Sequence, residues 1–148
     1  MKLGRGITGL WGMEDKIPSS DVYAFRALLY TVEHGKRYKI LPTEEKFHAR
    51  NYTRFTITDK RDHVTFDILI NNYYPYYCGV NCGTIEEFVE VPEDVINCIG
   101  SNFIYLSLAT LRISPHQADL SELSEGEMKE IRYWRPGNIG EIIFNMYD

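Results

Sequence analysis

The chain has 148 residues and a formal net charge of −5, with 44% hydrophobic and 25% charged residues. That length fits one ordinary domain, able to bury roughly two-thirds of its unfolded surface, and the composition excludes global disorder. The acidic balance argues against a general nucleic-acid binder, and no run approaches the roughly 18 apolar residues of a membrane-spanning helix.

The first residues, MKLGRGITGLWG, lack the apolar run of a signal peptide. Three cysteines, an odd number, fit reduced thiols at Cys78, Cys82 and Cys98. Cytoplasmic residence is the expectation. Charge is uneven along the chain: residues 1–74 hold 12 Lys/Arg against 9 Asp/Glu, and residues 75–148 hold 4 against 12. The second half therefore carries a net −8, a hint about partners rather than about fold.

Residues 1–18 form an irregular glycine-rich lead-in, with Leu10, Trp11 and Met13 expected to pin it onto the core. Ser19-Ser20-Asp21 offers helix caps, and Val22, Phe25, Leu28, Leu29 and Val32 follow at helical spacing. The spacing predicts a helix over 20–34, closed by Gly35. Tyr52–Thr58 and Val64–Ile70 alternate and are rich in β-formers, with Asp59–Asp62 as the turn between them. They predict a β-hairpin over 52–70. A lone hairpin is marginal, so Tyr76–Val80 and Glu87–Val91 are further candidate strands.

Pro92-Glu93-Asp94 begins a helix expected to run to about 112. The rival reading is a short helix followed by a buried strand over 103–113, because periodicity alone does not separate the two. Ser124 and Glu127 form a capping box for a helix over 125–134. Asn138 caps a last amphipathic helix over 139–147. The expected fold class is α+β: a single domain over 1–148, with a small antiparallel sheet built on the hairpin and packed with three or four helices.

The chemistry-bearing motifs lack their usual contexts. Gly4-Arg-Gly6-Ile-Thr-Gly9 matches G-x-G-x-x-G, but no strand precedes it, so a close-packed turn is favoured over dinucleotide binding. Cys78 and Cys82, with Cys98 and His116, would complete a Cys₃His zinc set on paper, at a spacing that fits no standard template. His34, His48, His63 and His116 show no paired spacing, and His63 beside Asp62 reads as a solvated turn. The acidic pairs Asp59/Asp62, Glu86/Glu87 and Glu93/Asp94 read as turn and helix-start residues. No cofactor is implied.

What does concentrate is tyrosine and carboxylate. Tyr73, Tyr74, Tyr76 and Tyr77 flank Pro75, and Glu86, Glu87 and Glu90 follow. A second acidic group comprises Asp119, Glu122, Glu125, Glu127 and Glu130. Rigid aromatic area beside negative charge suits a contact surface for a basic protein. The leading expectation is a non-enzymatic binding module of immunity or inhibitor type, with no membrane or direct nucleic-acid partner. The alternatives are a small enzyme or ligand-binding domain assembled from Cys78, His63 and the N-terminal glycines, and a homo-oligomer using the C-terminal helix.

Overall fold

A computed structural model describes residues 1–12, 15–16, 18–41 and 50–147. The expected contribution of Met13 to the core, and His48, lie outside the described residues. The hairpin forms as its alternation predicts. Strand β2 (Tyr52–Asp59) pairs antiparallel with β3 (Val64–Asn71) along the whole length, from Tyr52↔Asn71 to Asp59↔Val64. The turn is held by Asp59, whose Oδ1 accepts the backbone N–H groups of Arg61 (3.0 Å) and Asp62 (3.3 Å). His63 closes it at φ 55°, a left-handed conformation that histidine tolerates better than β-branched residues do.

Strand β1 (Tyr38–Leu41) pairs with the outer edge of β2, and β4 (Tyr76–Asn81) pairs with β3, both antiparallel. The far edge of β4 is shared. Its C-terminal half pairs antiparallel with β5 (Phe88–Val89) and its N-terminal half pairs parallel with β6 (Ile104–Tyr105). Both candidate strands are thus present, and among the described residues six strands form one mixed sheet. Gly79 is required at the edge, because a Cβ there would stand 2.8 Å from the Val89 carbonyl oxygen.

Alternation then gives the sheet two apolar faces. Phe55, Ile57, Phe66, Ile68, Ile70 and Tyr77 point to one side. There they meet helix α1 (Val22–Tyr30), the 3-10 turn Thr31–Gly35 and helix α2 (Glu93–Ile99), through Phe25, Leu29, Val32, Val95 and Ile99. Tyr52, Leu69, Cys78 and Val80 point to the other side. That face is covered by the lead-in and by helices α3 (Leu108–Leu111), α4 (Glu125–Trp134) and α5 (Gly140–Ile143). Each fully buried aliphatic or aromatic side chain contributes roughly 1.5–3 kcal/mol, so both cores are needed for a sheet of this size.

Several elements are shorter than their periodicity suggests. The α-helical part of 20–34 ends at Tyr30, where the Thr31 hydroxyl donates to the Leu28 carbonyl oxygen at 2.6 Å and competes with the helix ladder. The left-handed closing residue is Lys36 at φ 60°, not Gly35. The expected helix over 92–112 breaks at Gly100, whose φ 81° and ψ −167° suit glycine alone. The chain then enters β6 and the single turn of α3, closer to the rival short-helix-then-strand reading. The final helix over 139–147 is only Gly140–Ile143, because Phe144 turns extended. The lead-in is anchored by Leu3 and Ile7, both fully buried, while Leu10 and Trp11 are half-buried. No helix of the described residues is long and apolar enough to cross a membrane.

Arg37 stitches the hairpin turn to α2. Its guanidinium grips both oxygens of Asp59 (3.1 and 2.8 Å) and reaches Asp62 (3.2 Å) and Asp94 (3.4 Å). This grip lowers the Asp59 pKa from 3.8 to about 2. A carboxylate that ionises more readily when folded stabilises the fold above its unfolded pKa, and that stabilisation is lost as pH falls through the folded value. The melting-temperature gap between wild type and Arg37→Gln is therefore expected to be constant above about pH 5 and to shrink as pH falls from 3.8 toward about 2. A gap unchanged down to pH 2 would show that the grip on Asp59 contributes nothing.

Candidate functional site

The glycine motif is an anion cradle, and the anion is the protein's own. Glu127 is completely buried although it belongs to the second acidic group, whose charge suggested a contact surface. Its carboxylate accepts the N–H groups of Gly6 (2.8 Å) and Thr8 (3.3 Å), the Thr8 hydroxyl (2.6 Å) and the N–H of its own N-cap, Ser124 (3.1 Å). The Ser124 hydroxyl oxygen accepts the Glu127 N–H in return, completing the expected capping box. The glycines are needed for close approach: the Trp11 ring covers Gly6, where a Cβ would lie 1.9 Å from it. Gly6 and Gly9 both hold positive φ.

The tyrosine run does not make one surface. Tyr77 is fully buried between Phe25 and Tyr105, and burial pushes its hydroxyl up to about 12. It belongs to the core and offers nothing to a partner. Tyr73 packs against Trp11, and the Tyr74 hydroxyl donates to the Arg5 carbonyl oxygen at 2.6 Å. Tyr74 stacks on Tyr76, and both pack against the second core. These three half-buried rings chiefly fasten the lead-in.

The acids beside the run lie elsewhere. Glu86 and Glu87 are exposed at the opposite end of β4, where the Glu87 carbonyl oxygen accepts the Asn81 N–H. Five strand residues separate that end from Tyr76, roughly 17 Å. Glu90 accepts the Tyr105 hydroxyl and the Leu108 N–H, each at 2.7 Å, and so ties β6 to α3.

The residues proposed for catalysis or metal binding also stay apart. Cys78 is buried in the second core, Cys98 is exposed on α2 on the other side of the sheet, and Cys82 is exposed at the end of β4. Among the described residues no three His, Cys, Asp or Glu side chains are grouped to hold a metal. His63 sits at the hairpin tip, away from Cys78, and the N-terminal glycines are occupied by Glu127. The apolar side chains of the C-terminal helix, Ile142 and Ile143, are buried in the second core.

The surface that does assemble was not singled out from the sequence. Tyr133, Trp134 and Met146 are 75%, 50% and 47% exposed. Trp134 meets Tyr133 edge-on at 5.2 Å and stacks on Tyr147 with ring centroids 5.8 Å apart and planes within 5°. The Trp134 Nε1–H donates to Glu130 at 2.9 Å. Between these rings and the β4–β5 loop lies a cleft of about 410 Å³, lined by Trp134, Tyr147, Phe144, Glu86 and Glu141. A second groove of about 510 Å³ adjoins it and shares Ile85, Glu86 and Met146, with Glu87 on its rim. Two cations border that groove: Arg54 is paired with the buried Asp67, and the Arg50 guanidinium lies over the Tyr52 ring.

Glu86 and Glu87 are thus the sequence candidates that reach this site. Burial, then the charges of Glu141 and Glu130, push the Tyr147 hydroxyl up to about 12. Among the described residues the buried Tyr147 hydroxyl has no hydrogen-bond partner. Comparison with known protein families, with curated proteins and with solved structures finds no match to this chain.

Two outcomes follow from these placements. Glu127→Ala strands four donors in the interior and is expected to cost roughly 3 kcal/mol in urea unfolding, with faster proteolysis of the lead-in. Wild-type stability of that variant would make the cradle dispensable. Burial raises the Cys78 thiol well above its ordinary value, which suppresses the reactive thiolate. A thiol reagent at pH 8 is expected to modify Cys82 and Cys98 in the native protein and Cys78 only on unfolding; rapid modification of all three would contradict the second core as described.

Proposed function

We propose that this chain is a non-enzymatic binding module of the immunity or inhibitor type, which masks a basic protein partner such as a nuclease-like toxin. The observation that carries the reading is the exposed platform of Tyr133, Trp134 and Met146, with the half-buried Tyr147 ring stacked on Trp134, set among Glu86, Glu87, Glu130 and Glu141. Tryptophan and tyrosine dominate binding energy at protein interfaces because they bury large areas at little entropic cost. Carboxylates around them steer a cationic partner and set its orientation. The net −8 of residues 75–148 extends that field beyond the platform itself.

The test uses affinity capture with wild type, Trp134→Ala and the double reversal Glu86→Lys/Glu87→Lys as parallel baits, followed by calorimetry on whatever wild type retains. The expected partner is basic, is bound roughly 30-fold more weakly by Trp134→Ala and dissociates as salt rises. A partner held equally by the charge-reversed bait, or one that is itself acidic, would refute the reading.

A further inference from the structure

Resting on that reading, we infer that the cleft between Trp134 and Glu141 is the seat of one arginine side chain of the partner. The cleft presents two kinds of group that a guanidinium uses together, beside a buried hydroxyl. The Trp134 and Tyr147 rings supply flat π surface. Glu86 and Glu141 supply carboxylate oxygens; Glu141 Oε2 accepts the Gly137 N–H and other lone pairs remain. The Tyr147 hydroxyl is a buried oxygen that no described residue satisfies.

A guanidinium is planar and carries five N–H donors in a rigid fork. It can stack on an indole while donating to a carboxylate, and its charge remains at any physiological pH. An ammonium has the charge without the plane. A neutral urea group has the plane without the charge. Arg135 lies on the rim of the same cleft, so two lining carboxylates face one resident cation and the balance still favours a second.

The experiment follows the Trp134 indole N–H signal by nitrogen-edited NMR on the ¹⁵N-labelled full chain, assigned with Trp134→Phe. N-acetylargininamide, N-acetyllysinamide and N-acetylcitrullinamide are titrated separately. The arginine derivative is expected to shift the signal saturably in the millimolar range, the neutral citrulline derivative at least ~10-fold more weakly, and lysine in between. Glu141→Gln should weaken the arginine response by ~3-fold or more. Equal responses to arginine and citrulline, or no arginine response, would overturn the seat. A basic protein that binds wild type while leaving the Trp134 signal in place would also overturn it and would leave the binding-module reading intact. A saturable arginine response from a chain that retains no basic protein would support the seat and tell against the module.

Discussion

Three buried asparagines, Asn51, Asn71 and Asn145, decide how the ends of the chain meet the sheet. The Asn51 amide donates to the Ile7 and Ile143 carbonyl oxygens at 2.7 and 2.8 Å, and the Asn71 amide donates to the same two at 3.0 and 2.8 Å. Asn145 donates to Thr8 and Ile142, and its own N–H returns to the Asn51 side-chain oxygen at 2.8 Å. The lead-in, the open end of the hairpin and the C-terminal segment thus share one polar knot. An amide left unpaired in the interior costs about 1–3 kcal/mol, whereas a fully paired network is rigid and specifies a single arrangement. The Glu127 cradle fixes the same lead-in one turn away, through Gly6 and Thr8.

The candidate site depends on that knot. Asn145 Oδ1 accepts the Tyr147 N–H at 3.0 Å, so the ring that stacks on Trp134 leaves the chain two residues beyond a fixed point. The need to place Asn145 also explains why the last helix is one turn long. A helix continuing through 147 would pair the backbone of 145–147 internally and take these residues out of the network.

What was legible in the sequence was what depends on local period. The hairpin, β4, β5 and the capping box at Ser124 were readable because alternation and capping act over a few residues. The length of α2 was not, because periodicity does not separate one long helix from a short helix and a strand, and only the Gly100 backbone conformation shows the break. Asn51 and Asn71 flank the predicted hairpin with no local signal of their role, since the carbonyls they satisfy lie 44 and 72 positions away. The glycine motif was correctly read as lacking a dinucleotide context, but its occupant came from a helix more than a hundred residues on. In the site, Glu86 and Glu87 were found by charge. Trp134 was assigned to a helix face and Tyr147 to another, and no periodic pattern could report that the two rings stack. The one available signal was an aromatic pair directly before Arg135-Pro136-Gly137, where a helix must stop and its last side chains turn outward.

The same contacts bear on how such a cleft would bind. Immobilising a rotamer-rich side chain on association costs about 0.5–1.5 kcal/mol. Here the lining groups are already held: Trp134 through Glu130, Glu141 through the Gly137 N–H, and Tyr147 through Asn145 and its stack on Trp134. For these three groups the ordering cost is met during folding, which leaves Glu86 and the partner's side chain to lose freedom on binding. Rigid aromatic walls with fixed carboxylates therefore discriminate by shape and charge together, which a mobile acidic tail of the same net charge would not do.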